Sequence, residues 1–199
     1  MSSYCLACSK LGQDCCREAH AKFITLGDAR RVADYLGADI NSFAVYGELK
    51  DEDREEYIYI NRHQNYYYDL TRRDGRLLQL KDKSDGSCMF QEEDGCCRIY
   101  PSRPLICRTY PFWYSDDFDI LFDPCGSDCR IVCAVTGNDN PEDVTKLDDA
   151  GGSRRAQAMA YIGHTDESIK ELLGTMKDEI ADYEAHVELF VRNNNISIP

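Results

Sequence analysis

The stretch GCCRIYPSRPLICRTYPF, residues 95–112, decides the fold of this chain because it concentrates cysteine, arginine and proline. The vicinal pair Cys96–Cys97 opens it, Cys107 follows, and two of these three cysteines precede an arginine directly. Pro101 and Pro104 are predicted to end regular structure, because proline lacks a backbone N–H and fixes φ. Thiols placed in loops and turns need a chemical explanation.

The whole chain has eleven cysteines in 199 residues, an odd number that argues against a disulfide framework. The opening MSSYCLACSKLGQDCC has neither the basic region nor the apolar run of a signal peptide, so a reducing, cytoplasmic location is expected. A CxxC followed by CC, with a second cysteine-dense block later, is typical of thiolate sites for zinc or iron–sulfur clusters. The cysteines form three groups: Cys5, Cys8, Cys15 and Cys16; Cys88, Cys96, Cys97 and Cys107; and Cys125, Cys129 and Cys133.

The composition limits the classes of partner that the chain is expected to bind. The chain has 23 Lys and Arg against 36 Asp and Glu, a net charge of −13. An acidic surface repels phosphate backbones, so nucleic-acid binding is not expected. No window approaches the roughly 18 continuous apolar residues of a membrane span, so no membrane partner is expected either.

Capping residues predict the first helix and a turn after it. In TLGDARRVADYLG, Thr25 is a natural N-cap, Asp28 holds the capping-box position and Gly37 is a C-terminal stop. The following NSFAVYG is interpreted as a short helical turn capped by Asn41.

Short apolar runs predict several strands. YIYI, YYYDL and RLLQL are the first of these, with a hairpin turn at Arg73–Gly75. SCMF and CCRIY are expected to form a hairpin around Gln91–Gly95, and DFDILF is expected to form a strand. Two further helices are predicted, in DCRIVCAV after Ser127 and in SRRAQAMAYIG.

The final segment gives the clearest helical pattern, capped by Thr165 and ended by Asn193–Asn195. Its apolar residues recur at spacings of three and four, close to a heptad. This face is expected to pack on the cysteine-rich body, and a dimer seam is the alternative. The face consists of Ile169, Leu172, Leu173, Met176, Ile180, Tyr183, Val187 and Phe190.

CLACSKLGQDCC, FITLGDARRVADYLG and CMFQEEDGCCRIYPSRPLICRTYPF together resemble the YkgJ-type cysteine-cluster proteins, a zinc- or iron-chelating domain family. The resemblance spans residues 5–126. The chain departs from the family in its longer Cys8–Cys15 gap and in CGSDC, which lacks the proline of the family's C-P-G. The resemblance implies that eight cysteines are metal ligands: Cys5, Cys8, Cys15, Cys16, Cys88, Cys97, Cys107 and Cys125.

A similar module occurs in flagellin lysine N-methylases. This likeness implies, as one enzymatic possibility, a methylase dependent on an iron–sulfur cluster and S-adenosylmethionine. Cys129 is added to the ligand candidates because Cys129 and Cys133 would lie one turn apart on a helix that follows Cys125. Cys133 fits ligation or a buried core position equally well.

The number of cysteines suits tetrahedral zinc sites and four-iron clusters equally well, so it does not distinguish between them. Arginine follows Cys16, Cys97, Cys107 and Cys129, where it would offset the negative charge of a thiolate site. The alternative is that these arginines are surface residues that pair with acids. Arg103 and Arg108 are predicted to tune the site or to bind an anion.

These patterns predict an α+β fold, with a small cysteine-rich core of loops and short hairpins wrapped by helices and a long C-terminal helix. Residues 1–137 would form the metal-binding domain, and residues 138–199 a helical extension packed on it. The predicted function is iron–sulfur binding (one or two 4Fe-4S clusters) for electron transfer or for modification of a partner protein. The alternatives are a zinc-stabilised interaction module and a metallochaperone.

Overall fold

The computed structural model describes residues 15–17, 22–49, 75–110, 112–114, 120–122, 159 and 163–199, and the structural statements below concern these residues. They form an α+β arrangement of helices and two small antiparallel sheets. The helices are α1 (Leu26–Leu36), α2 (Leu105–Thr109) and α3 (Asp166–Asn193), with 3-10 turns at Ile40–Ser42 and Tyr100–Ser102. The strands are β1 (Ala44–Glu48), β2 (Arg76–Leu80), β3 (Phe112–Tyr114) and β4 (Ile120–Phe122).

Helix α1 begins and ends where its capping residues predict. The Thr25 hydroxyl accepts from the Asp28 backbone N–H at 2.9 Å, and the Asp28 carboxylate accepts from the Thr25 N–H at 3.2 Å. Gly37 ends the helix with φ 59°, a left-handed conformation that glycine adopts without a Cβ penalty. The predicted capping box is therefore confirmed.

The sequence-based prediction for NSFAVYG is wrong. The 3-10 turn at Ile40–Ser42 follows Asp39 as its N-cap, with no side-chain cap bond, so Asn41 caps nothing. The residues after Phe43 form strand β1, which pairs antiparallel with β2 from Ala44↔Leu80 to Glu48↔Arg76. Pairing with a distant strand outweighed the local helical signal.

Two other segments flank this sheet. On the β2 side, the Ile24 N–H donates to the Leu78 carbonyl at 3.0 Å, and the Leu80 N–H donates to the Lys22 carbonyl at 2.8 Å. On the β1 side, the Tyr46 N–H donates to the Ser197 carbonyl at 3.0 Å. The chain that follows α3 therefore returns to the sheet.

Helix α3 is confirmed from its Thr165 cap to its end at Asn194. It contacts α1, α2 and β3, and its apolar face is buried in the core. Full burial of a side chain of this size contributes about 1.5–3 kcal/mol, so this face is a major source of stability. The buried residues are Ile169, Leu173, Met176, Ile180, Tyr183, Val187, Phe190 and Val191, with Leu172 partly buried beside them.

The hairpin expected from SCMF and CCRIY is replaced by tight turns. The chain does reverse between Gln91 and Cys97, which form an isolated antiparallel bridge, but neither segment is an extended strand. Pro104 was expected to end regular structure and instead precedes α2 as its N-cap residue. Proline is compatible with a helix start because the first N–H groups have no intrahelical partner.

The strand expected in DFDILF is confirmed over Ile120–Phe122, where it pairs with β3. The YIYI and YYYDL strands, the turn at residues 73–74 and the helix predicted after Ser127 lie outside the described residues. In the segment SRRAQAMAYIG, only Met159 and Gly163 are described. Within the described ranges, no helix combines the length and apolar character that a membrane span requires.

Candidate metal centre

Residues 82–100 form two consecutive turns with the same backbone hydrogen bonds. The first cysteine turn, residues 82–91, contains DGSC, and the second cysteine turn, residues 91–100, contains DGCC. In the first, Asp82 bridges Cys88. In the second, Gln91 bridges Cys97 in the equivalent way. Cys88 and Cys97 therefore occupy matching positions.

Further bonds repeat with the same offset. The Met89 N–H donates to the Lys81 carbonyl at 3.3 Å, and the Arg98 N–H donates to the Phe90 carbonyl at 2.9 Å. Beyond the cysteines, the Gln91 N–H donates to the Cys88 carbonyl at 3.0 Å. The Tyr100 N–H repeats this bond to Cys97 at 3.1 Å.

An aspartate and a glycine shape each turn. The Asp85 carboxylate accepts from the Ser87 N–H at 2.9 Å, and the Asp94 carboxylate accepts from the Cys96 N–H at 2.9 Å. Each following glycine has positive φ, 83° at position 86 and 82° at position 95. Ser87 and Cys96 are thus equivalent, which sets Cys96 apart from the predicted ligands.

Cys88 meets the N-terminal cysteine segment. The Cys88 N–H donates to the Cys16 carbonyl at 2.6 Å, and Cys16 packs partly buried against the core. Lys22 holds the first turn from the same side, because its Nζ donates to Asp82 at 2.8 Å and to the Gly86 carbonyl at 3.2 Å. Two cysteines that are distant in sequence, both predicted ligands, are therefore neighbours.

The thiol of Cys88 is buried, with 6% of the residue exposed. Burial raises its pKa to about 11, and the nearby Cys16 acts in the same direction. The backbone N–H of Phe90, which donates to the sulfur, and the charge of Lys22 both lower the pKa. A donor aimed at sulfur and a nearby cation are the surroundings that a metal-bound thiolate uses.

The other predicted ligands are spread over the described residues. Cys97 is half-buried, whereas Cys15 and Cys107 are exposed, the latter on α2. All the described cysteines are thiols and not disulfides. Among the residues that the structure describes, no three cysteine, histidine, aspartate or glutamate side chains converge closely enough to hold a metal ion.

The remaining ligand candidates, Cys5, Cys8, Cys125 and Cys129, lie outside the described residues, as does Cys133. The full ligand set thus stays a prediction. The thiols of Cys16, Cys88 and Cys97 fit zinc or iron, which both accept thiolate ligands.

A buried carboxylate fixes the helix that carries Cys107. The Leu105 N–H, in the first turn of α2, donates to Asp28 Oδ1 at 3.0 Å. Arg31 Nη2 donates to the same oxygen at 2.6 Å. Burial raises the pKa of Asp28, and Arg31 opposes that shift. The sequence marks Asp28 only as a capping residue, so its contact with α2 was missed.

Arg31 extends this network to α3. It donates to the Glu179 carboxylate through both terminal nitrogens, one at 2.9 Å, and the Thr25 hydroxyl bonds the same carboxylate. Gly27 makes this approach possible, since a Cβ there would meet the Glu179 carboxylate. Charged groups on α1 and α3 therefore hold α2 in place.

The two arginines assigned to cofactor binding lie near each other beside the start of α3. Arg103 stacks on the Tyr100 ring at 3.8 Å, and half-buried Arg108 is within electrostatic range of Arg103 and Arg31. The His164 ring hydrogen-bonds the backbone carbonyl of Arg108. Burial, followed by the charges of Arg108 and Arg103, lowers the pKa of His164. His164 was not among the predicted site residues.

Arg98 fits the alternative explanation of the Cys-Arg pattern, in which the arginine is a surface residue that pairs with an acid. It is exposed, lies over the Phe90 ring at 5.2 Å and pairs with Glu92 at 4.0 Å. An arginine after a cysteine is therefore not by itself a sign of charge compensation at sulfur.

A family model described as "CxxCxxCC: putative zinc- or iron-chelating domain" matches residues 4–126. The chain belongs to this family. Membership confirms the resemblance noted in the sequence and supports metal binding by the cysteine-rich part, and it leaves zinc and iron undistinguished. No solved structure matches the chain.

Proposed function

We propose that this chain binds one or two iron–sulfur clusters of the 4Fe-4S type. Cysteine thiolates from the three cysteine groups would be their ligands. The observation that carries the proposal is the pair of matching turns that present Cys88 and Cys97. Cys16 adjoins the first of them. A repeated turn, which in its first copy aims the Phe90 N–H at the Cys88 sulfur, suits thiolate ligation.

Two features favour a cluster. The Phe90 N–H and Lys22 act on the Cys88 sulfur, and hydrogen bonds and charge near sulfur are the means by which proteins set cluster potentials. Arg108, one residue after Cys107, is half-buried, unlike Arg98. It is placed to offset negative charge on the α2 side of the site.

The role that fits a cluster is electron transfer or a cluster-dependent modification of a partner protein. A lysine-methylase-like reaction with S-adenosylmethionine rests on the similar module alone. A protein partner, a cytoplasmic location and a dimer through α3 stay predictions. The apolar face of α3 is buried within the chain, which favours the packing role of this helix.

Structural zinc is the second candidate, favoured by the way Cys88 connects to Cys16. A four-thiolate zinc would join the N-terminal segment to the turns and add directly to folding stability. A metallochaperone would use the same thiols and would release its metal to an acceptor.

The test is a visible absorption spectrum of protein purified without oxygen, with iron, zinc and acid-labile sulfide counted per chain. We expect broad visible absorption, bleached by reductant, with iron and sulfide in similar amounts. A colourless protein with stoichiometric zinc would refute the cluster.

The turns supply a matched pair of variants. Cys88→Ser is expected to lower the metal content strongly, because it removes a buried ligand. Cys96→Ser makes the second turn DGSC, identical to the first, and is expected to keep the metal. Equal losses in both variants would count against the assignment of Cys88.

A further inference from the structure

The short helix α2, which carries the predicted ligand Cys107, depends on another helix for its N-terminal cap. Pro104 stands at the N-cap and makes no side-chain cap bond, although the first N–H groups of a helix need partners from outside the helix. The Leu105 N–H, two residues before Cys107, donates to the Asp28 carboxylate at 3.0 Å. A buried residue of α1 therefore caps α2.

Cys107 is held in place differently from Cys88. Cys88 is buried, whereas Cys107 is exposed, so burial does not fix the position of its thiol. The burial of Leu105 ties α2 to the core, but apolar packing is non-directional, whereas a hydrogen bond depends on its angle. The rotation of α2 about its axis, and with it the placing of Cys107, therefore depends on the bond to Asp28.

Asp28 is in turn held by α3 through Arg31. Arg31 Nη2 donates to Asp28 Oδ1 at 2.6 Å and to Glu179 Oε2 at 2.9 Å, and Arg31 Nη1 donates to Glu179 Oε1. The Thr25 hydroxyl donates to the same Glu179 carboxylate. Glu179 thus begins a continuous series of polar contacts that ends at the Leu105 N–H.

Gly27 leaves room for the Glu179 carboxylate beside α1. A Cβ on residue 27 would meet this carboxylate. Glycine is less favourable than alanine inside a helix, so the missing side chain weakens α1 while it permits the contact with α3. The local sequence of α1 is therefore better explained by the contact with Glu179 than by helix propensity.

We propose that Glu179 is a positioning residue for the metal centre: through Arg31 and Asp28 it fixes α2 so that Cys107 is oriented for ligation. The inference rests on the proposed function, because Cys107 must bind a metal, but it holds for zinc as well as for a cluster. Glu179 lies on α3, beyond the residues 4–126 that the family model matches. The C-terminal helix thereby completes the metal-binding part of the chain.

The test measures how fast iodoacetamide alkylates each cysteine of the full, metal-loaded chain, with mass spectrometry as the readout and oxygen excluded. A thiolate that a metal holds is not available as a nucleophile, so ligands react slowly. Glu179→Gln is expected to speed the alkylation of Cys107 about tenfold, the scale on which partners of metal ligands affect metal binding. Cys97, on the second cysteine turn, is expected to keep its wild-type rate.

Gly27→Ala is a second variant that reaches the same contact from α1. Its Cβ displaces the Glu179 carboxylate and leaves every charge in the chain, while alanine favours the helix. It is expected to speed the alkylation of Cys107 as Glu179→Gln does. Such a result cannot come from a weakened α1.

The residues on either side of Glu179 supply the controls. Asp178→Asn removes a charge at an exposed position of α3, and Ile180→Val removes a methyl group at a buried one, which lowers stability. Both are expected to leave the alkylation of Cys107 close to the wild-type rate.

Three results would overturn the positioning role. The first is a metal-loaded wild type whose Cys107 reacts as fast as in the metal-free chain. The second is a Glu179→Gln chain in which Cys107 keeps its wild-type rate or in which Cys97 accelerates equally. The third is an Ile180→Val chain whose Cys107 accelerates as much as in Glu179→Gln, because general destabilisation would then explain both.

Metal analysis of the same samples separates this inference from the proposed function. If the wild type holds iron and sulfide and Glu179→Gln leaves Cys107 protected, the cluster stands and the positioning role is refuted. If the wild type holds zinc and Glu179→Gln exposes Cys107 to alkylation, the cluster fails and the positioning role stands. A wild-type chain that binds no metal refutes both.

Discussion

The first and second cysteine turns share one backbone and differ in their surroundings. Cys88 is buried, is bonded through its N–H to Cys16 and is close to Lys22. Cys97 is half-buried in a turn whose neighbouring Arg98 faces solvent. The shared DGxC sequence therefore determines the backbone shape of each turn, whereas the residues packed around the turn determine the environment of its thiol.

The largest effect is expected where each turn is anchored in the core. Phe90 and Ile99 both lie two residues after the cysteine, and both are fully buried. Phe90→Ala should lower the free energy of unfolding by about 4 kcal/mol and Ile99→Ala by about 3 kcal/mol, because each leaves a cavity. The Phe90 variant is expected to lose more stability because the Phe90 ring also packs on the Phe43 ring, with the ring centroids 5.9 Å apart. Urea unfolding measures both.

If both variants lose less than about 1 kcal/mol of unfolding free energy, the burial of Phe90 and Ile99 is not the main source of stability of the turns. Tyr35→Ala is the control for the loss of a large side chain, because Tyr35 is 48% exposed. It is expected to change stability by about 0.5 kcal/mol or less.

The glycines test whether the turns are equivalent in backbone strain. Gly86→Ala and Gly95→Ala each place a Cβ on a residue with φ near 83° and 82° respectively. Each should cost about 1–2 kcal/mol, because the left-handed region disfavours a side chain. Thermal unfolding of the two variants should give similar midpoints. A loss in only one of them would show that the two turns do not share their conformational requirement.

The smallest effect is expected from the aspartates, and it depends on pH. Bonds from the Ser87 hydroxyl and then the Ser87 N–H lower the pKa of Asp85 below 3.8. A lowered pKa stabilises the fold above the unfolded-state value, and this stability is lost as pH falls through the folded-state value. Asp85→Asn should therefore flatten the loss of stability on acidification below about pH 4.

Unfolding midpoints of the wild type and of Asp85→Asn, measured between neutral pH and about pH 3, test this expectation. If Asp85→Asn keeps the wild-type slope, the Asp85 bonds contribute nothing to the pH dependence.

The sequence predicts elements whose signals are local. The capping box of Thr25 and Asp28 places α1, and the apolar spacing of residues such as Ile180 and Val187 places α3. Strand β1 was missed because its partner β2 lies about thirty residues further along the chain, and no local pattern records that pairing. Distant partners give little signal in a single sequence.

The candidate site shows the same limit. The types of the candidate ligand residues are visible in the sequence, and the family match supports metal binding in general. The contact of Cys16 with Cys88, the burial of Asp28 and the place of His164 beside Arg108 depend on tertiary packing. The equivalence of the turns was readable in DGSC and DGCC, nine residues apart, had the two been aligned.

The chain segments beside the small sheet have a consequence for behaviour at high concentration. Open strand edges recruit strands from other molecules and lead to aggregation. Here the Leu78 N–H donates to the Tyr183 hydroxyl at 2.8 Å, and its carbonyl accepts from Ile24. On the opposite edge the Tyr46 N–H is occupied by Ser197. These three edge groups are therefore already engaged within the chain and do not offer themselves to a strand from another molecule.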